Sequence, residues 1–355
     1  MMMKRNRVAI IITLILLMAA IILVITNSYT TLKKNVSDFS VKDTITVTKI
    51  FLADKNNNEV TLTRSGEGGW LVNGKYTAQQ AKISSFLKTL MDLEVREPVA
   101  MAARNNVIKR MGAIAKKIEI YQVTPRINLF NKIRLFPHEK LTKTYYIGDV
   151  TMDNQGTFML MKGAEEPYVV HIPGFRGFVA SRYSTAASDW RDYTVFKTKL
   201  NEIQSLKVEF PLQPEQSYQL DLPDNKHIGL KSLLTNQVLQ SYDTIRVLSF
   251  LTSFADIRFE ALLENQVDKN FIDSVITSTP KTIITLTDRA GKVNEIKIFK
   301  KKGFAGMYDE NGMAMEPMDL DRAYAVVNNS GDFVLIQYYV FDSVTRTLSY
   351  LLGKE

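Results

Sequence analysis

The chain has 355 residues, 45% hydrophobic and 23% charged, with 17 Gly and 10 Pro, which supplies a packed core and excludes a disordered or fibrous protein. The absence of cysteine removes disulfides, thiolate metal sites, iron–sulfur clusters and cysteine nucleophiles, and His138, His171 and His227 lie too far apart for a helix-borne metal pair. The net charge is +8, but residues 1–43 hold six basic and two acidic residues, so the long remainder keeps only a mild excess and lacks the basic footprint of a nucleic-acid binder.

Val8 to Ile25 reads VAIIITLILLMAAIILVI, an uncharged run through Leu16 that spans about 27 Å as a helix. Lys4, Arg5 and Arg7 precede it, so the positive-inside rule keeps residues 1–7 in the cytoplasm, makes 8–26 a transmembrane anchor and places the rest outside. A cleavable signal peptide has the same polarity. Its apolar part is usually shorter, and Thr26 and Ser28 match a small-x-small site only in part, so an uncut anchor is the preferred reading. Residues 27–43 are polar and aperiodic, as in a tether.

Ile45 and Val47 alternate with threonines, Asp54 to Asn58 (DKNNN) signals a turn, and Glu59 to Arg64 alternates again, so a hairpin is expected. Trp70-Leu71-Val72 before Asn73-Gly74 predicts a third strand. Thr77 and Gln80 form a capping-box pattern ahead of an apolar stripe at Ile83, Phe86, Leu87, Leu90 and Met91, which predicts a helix docked on the sheet. Strands are expected at Lys116 to Val123, Lys143 to Val150, Gly156 to Lys162 and Pro167 to Pro173. Between them, Phe130 to Leu141 mixes apolar and basic residues in an excursion that reads as a surface loop pinned by a few apolar residues or as a contact with lipid headgroups or a neighbouring subunit.

The second half repeats this order. Ser85 to Val95 (SFLKTLMDLEV) matches Ser249 to Phe259 (SFLTSFADIRF), each leaving a predicted helix for a strand. Strand patterns at Ile203 to Phe210 and Ser217 to Leu222 precede the second copy, and Lys281 to Asp288, Val293 to Lys301, Ala323 to Val327 and Phe333 to Phe341 follow it. The expected fold is α+β: after one N-terminal transmembrane helix, two tandem diverged units of antiparallel sheet with packed helices, at 44–197 and 198–355.

The strings KTYYIGDVTMDNQGTF (Lys143 to Phe158), YVVHIPGFRGF (Tyr168 to Phe178) and SDWRDYTVF (Ser188 to Phe196), with WLVNGKYTA after the first hairpin, resemble a bacterial membrane-anchored family catalogued as a domain of unknown function, number 4340. The family carries no assigned reaction. Related domains resemble those beside auxiliary subunits of ABC-type export and gliding-associated systems, which implies a place in an envelope assembly.

His171 alternates against Val170 and Ile172 and reads as a strand-end residue with a structural hydrogen bond, since the chain has no Gly-x-Ser-x-Gly elbow. Gly174-Phe175-Arg176-Gly177-Phe178 reads as a turn packing two phenylalanines rather than an anion loop. Asp189 to Tyr193 concentrates the residue types of interface hot spots. Trp190, Arg191, Asp192 and Tyr193, with Arg176 and Phe175, are the candidate partner-binding residues if exposed, and the alternative is that the segment closes the first unit. Asp54-x-Asn56-x-Asn58 and Asp309-Glu-Asn311-Gly312 are turns that miss the calcium-loop register.

The function expected is a non-enzymatic single-pass protein of the inner (cytoplasmic) membrane with its body in the periplasm. It touches the bilayer through residues 8–26 and acts as a scaffold, binding or auxiliary subunit for other envelope or membrane proteins, with no cofactor, metal or nucleic acid. The alternative is a module that binds lipid, glycan or cell wall in a cleft between the two units.

Overall fold

The computed structural model describes residues 11–20 and 37–354, except 67, 130–132, 225–226, 264–265, 304–305, 307, 309–312, 314–316 and 328–330. Residues 11–20 form a helix, α1, that includes Leu16 and is exposed throughout. The rest of the 8–26 segment, with Val8 and Ile25, lies outside the described residues, and among those described no helix is long and apolar enough to cross a membrane. Asp309 to Gly312 also lies outside them. The chain divides into two compact units, Met1–Asp192 and Tyr193–Glu355.

The first unit runs β1 (Val47–Ala53), β2 (Glu59–Arg64), β3 (Trp70–Val72), β4 (Tyr76–Thr77), α2 (Gln80–Asp92), β5 (Glu94–Pro98), α3 (Met101–Ile114), β6 (Lys116–Leu129), β7 (Ile133–Val150), β8 (Thr157–Met161) and β9 (Tyr168–His171). Its strands form one antiparallel sheet in the order β4-β3-β2-β1-β6-β7-β8-β9-β5. Asn73 and Gly74, both at positive φ, make the tight turn between β3 and β4. Period-two alternation, with a register shift between Val47 and Lys49, sends Val47, Ile50, Leu52, Ile118, Ile120, Tyr145 and Ile147 to one core, where Ile83, Phe86 and Leu90 of α2 join them. Val107 and Met111 of α3 cover Tyr146, Phe158 and Leu160 on the opposite face.

The second unit begins with β10 (Thr194–Phe196) and continues through β11 (Ile203–Glu209), β12 (Tyr218–Asp221), β13 (Gly229–Ser232), β14 (Val238–Leu239), α4 (Thr244–Thr252), β15 (Ile257–Arg258), β16 (Ala261–Leu262), α5 (Lys269–Ile276), β17 (Thr282–Asp288), β18 (Val293–Lys302), β19 (Met318–Val327), β20 (Asp332–Gln337), α6 (Tyr338–Phe341) and α7 (Leu348–Leu351). Its large sheet is ordered β14-β13-β12-β11-β17-β18-β19-β20-β16, which is the order of the first sheet element for element. The aligned helices carry matching knobs: Ile83 and Val247, Phe86 and Phe250, Leu90 and Phe254 are all buried. The SFL match therefore marks one architecture built twice.

Several local expectations are corrected. Thr77 lies in β4, paired with Leu71, so it does not cap α2; Gln79 takes that position without a side-chain cap, its amide donating to the Trp190 carbonyl at 2.8 Å. Phe39 and Val41 are buried, Phe39 packs edge-on against Tyr145, and the Val41 amide donates to the Leu90 carbonyl, so residues 39–41 belong to the first core rather than to a tether. Of the expected loop Phe130 to Leu141, residues 130–132 lie outside the described residues, and 133–141 are not a loop but part of β7, paired with β6 as far as Leu129 and Ile133. The run from Tyr338 to Phe341 leaves the strand for a helical turn that buries Phe341. β10 pairs with β15, so residues 194–196 stand with the second unit.

The DKNNN turn is held by one carboxylate. Asp54 accepts from the amides of Asn56 and Asn58, from Asn58 Nδ2 and from Thr185 Oγ1. Burial pushes its pKa up, but these four bonds outweigh it and hold the group down at about 2. A depressed carboxylate stabilises the fold above its unfolded pKa and loses that contribution as pH falls through the folded value. Asp54→Asn is therefore expected to lower stability near neutrality by about 1 kcal/mol, a figure reduced for solvent screening. Urea unfolding should show the gap to wild type closing between about pH 4 and pH 2; a gap that stays constant over that range contradicts the assignment.

Candidate partner-binding surface

The candidate residues follow β9. The Pro173-Gly174 turn, with Gly174 at φ 75°, closes with the Phe175 amide donating to the Ile172 carbonyl at 3.0 Å. Gly177, at φ 143°, lies against the Phe175 ring, and a Cβ there would meet it at 3.1 Å. The loop is thus shaped by glycine and leaves Phe175 and Phe178 each 38% exposed, with Arg176 exposed between them. Arg182 stacks its guanidinium on the inner ring at 4.7 Å from the Phe175 centroid.

The chain then turns inward. The Val179 amide donates to Thr157 Oγ1, Ala180–Arg182 makes a 3-10 turn, and Tyr183 is fully buried. Lys116 Nζ donates to the Tyr183 carbonyl at 2.7 Å, and burial lowers the lysine's pKa although Asp54 and Asp189 raise it. Burial likewise raises the phenols of Tyr145 and Tyr183, which approach each other at 3.4 Å.

Trp190 ends the 3-10 turn Ala187–Trp190 and is wholly buried. Its Nε1 donates to the Ser184 carbonyl at 2.9 Å, and its ring packs on Phe86 with centroids 4.9 Å apart. Arg191 is 7% exposed, stacks on Tyr76 at 3.5 Å, and bridges Ala78 through the backbone. The Asp192 amide donates to the Thr77 carbonyl at 2.9 Å. These residues form a strap across β4 and α2, so Trp190 and Arg191 present no open surface. Asp192 and Tyr193 are half-buried, with Tyr193 stacked on Phe259.

Of the residues singled out in the sequence, Phe175 and Arg176 therefore remain on the surface, joined there by Phe178. Sequence spacing carries no sign of which half of 174–193 turns inward; that depends on the α2 knob Phe86, which receives Trp190. His171 is the last residue of β9, opposite Glu94. His138 Nδ1 lies 2.9 Å from the Thr124 carbonyl, and His227 Nδ1 lies 2.7 Å from Asp224. Arginines near α3 are also held locally, with Arg104 on Glu166, Arg110 on Asp149, and Arg96 on both Asp153 and Glu97 at 2.9 Å.

No curated protein and no solved structure matches the chain. A family described as Domain of unknown function (DUF4340) matches residues 70–273, more than half of the chain, from β3 into α5. The chain belongs to that family.

Proposed function

We infer that this is a single-pass, membrane-anchored envelope protein whose two α+β units serve as a non-enzymatic binding or auxiliary subunit of a membrane assembly, of the transport or gliding-associated kind. The observation that carries the reading is the Phe175–Arg176–Phe178 loop, which puts two aromatic rings and an unburied guanidinium on one glycine-shaped surface turn. Aromatic residues and arginine dominate protein-interface energetics. Perturbed groups in the first unit have structural tasks, which is consistent with that reading: Asp54 holds a turn, Lys116 holds a carbonyl, and Tyr145 and Tyr183 fill the core. The apolar run from Val8 to Ile25 and the charges before it supply the anchor and the outside location.

A photo-crosslinking residue placed at Phe175 or Arg176 of the full chain in native membranes is expected to capture one stoichiometric envelope protein. Phe175→Ala with Arg176→Glu should abolish that product while leaving the chain folded. Captured material spread over many abundant proteins, with no dominant adduct, counts against the reading. A carboxyl-terminal reporter active only in the cytosol overturns its topology.

A further inference from the structure

The β6–β7 hairpin outruns its own sheet. On the β1 side the last backbone bond to β6 is the Val123 amide donating to the Thr46 carbonyl, and on the β8 side the last to β7 is the Lys162 amide donating to the Thr144 carbonyl, so residues 124–129 and 133–143 pair mainly with each other. At about 3.3 Å per residue, Thr124 to Leu129 projects roughly 17 Å. Directly opposed residues share a face. Ile127 opposes Leu135, Pro125 opposes Pro137, Tyr121 opposes Leu141, and Val123 opposes Glu139. That face is mostly apolar, with Glu139 its one charged member; Val123, Ile127, Leu135 and Leu141 on it are each 36–44% exposed, and Phe136 beside Leu135 is 64% exposed.

Charge on the arm is one-sided. Its acid, Glu139, is engaged by Thr48 Oγ1 at 2.6 Å and Lys49 Nζ at 3.4 Å. Arg126 and Lys140, on the opposite face, are exposed and have no acidic partner among the described residues. The two strands of a ribbon lie only about 4.8 Å apart, so long basic side chains reach round its edge to the plane of the apolar face.

The arm's root is tied to the chain arriving from the apolar leader. Gln122 Nε2 donates to the Asp43 carbonyl at 3.1 Å and to Thr46 Oγ1 at 2.9 Å, and Lys143 Nζ meets the Asp38 carboxylate at 2.7 Å. Twelve residues lie between Ile25 and Asp38, which limits the reach between them to about 45 Å.

We propose that this arm is a second membrane contact: its apolar face lies at the headgroup–acyl boundary of an anionic bilayer, with Arg126 and Lys140 on lipid phosphates. Apolar surface combined with uncompensated cations is the pairing that holds peripheral segments on anionic lipid. The proposal rests on the reading that the leader occupies the bilayer.

Both native tryptophans are buried, at 2% and 0% exposure, so a tryptophan in the arm can be read by itself. Leu135→Trp in the full chain, reconstituted into vesicles of mixed anionic and zwitterionic lipid with brominated acyl chains, is expected to be quenched. Ile127→Trp serves as a second probe against local disturbance at residue 135. Quenching should be lost in purely zwitterionic vesicles and in the Arg126→Glu, Lys140→Glu double variant. Flotation of the same vesicles reads the leader separately. A chain that floats with both probes unquenched in anionic vesicles overturns the arm while the leader stands, whether or not the arms crosslink between copies. Quenching that survives charge reversal overturns the role of the two cations, and a chain that does not float overturns leader and arm together.

Discussion

Trp190→Ala is expected to remove about 3–5 kcal/mol from the stability of the first unit, the range for truncating a buried Trp or Phe. The indole is fully buried against Phe86, its Nε1 bond to the Ser184 carbonyl goes with it, and the strap it anchors supplies the carbonyl that receives the first amide before α2. A native domain holds only about 5–15 kcal/mol in total, so the variant should melt far below wild type and lose near-ultraviolet dichroism. Trp190→Phe, which keeps a ring on Phe86 and gives up the hydrogen bond, should fall between the two. Equilibrium urea unfolding of the full chain in mild detergent measures all three. A loss under about 1 kcal/mol for the alanine variant would mean that the segment is not the closure described here.

Phe250→Ala should be comparably severe in the second unit, at about 3–5 kcal/mol. Phe250 meets Tyr218 at 5.9 Å and Phe254 at 5.3 Å, both edge-on, and Phe254 in turn meets Phe196 at 5.1 Å. Truncation leaves a void at the centre of that aromatic cluster, which neighbouring rings with fixed geometry refill poorly. Hydrogen exchange by mass spectrometry should show protection falling in β11 and β17, the central strands beneath α4, before it falls at the sheet edges. Phe86→Ala is the matched test in the first unit, where the expected fall is in β1 and β6. If loss of Phe250 leaves β11 and β17 as protected as in wild type, the knob assignment derived from the repeat fails.

Much of the architecture was legible because it follows from period. Alternation in EVTLTR, KKIEIYQV and KTIITLTD marks strands buried on one face, and the three- and four-residue spacing of Ile83, Phe86, Leu87 and Leu90 marks the helix laid on them. The repeat was visible at the SFL match because the helix knobs at 86 and 250 face equivalent cores. What stayed hidden was decided by tertiary contact. Thr77 has the chemistry of a cap, but it is held in β4 by Leu71 and by the Asp192 amide. Trp190 and Arg191 have the chemistry of an interface, but Phe86 and Tyr76 take them inward. Phe130 to Leu141 mixes apolar, basic and proline residues without alternation, so its pattern reads as a loop; only the partner strand shows that Pro137 lies opposite Pro125 with residues 133–141 paired to β6.

The spatial order of the strands bears on any attempt to express the family-matched segment alone. Cutting the chain at residues 70 and 273 discards β1 and β2, so β3 and β4 are severed from β6, and it also discards β17 to β20, stranding β16 and leaving one side of β11 bare. Such a truncation exposes ladder-forming backbone from the middle of both sheets, the usual seed of precipitation. Workable cloning limits follow the boundary at Asp192 and Tyr193 instead.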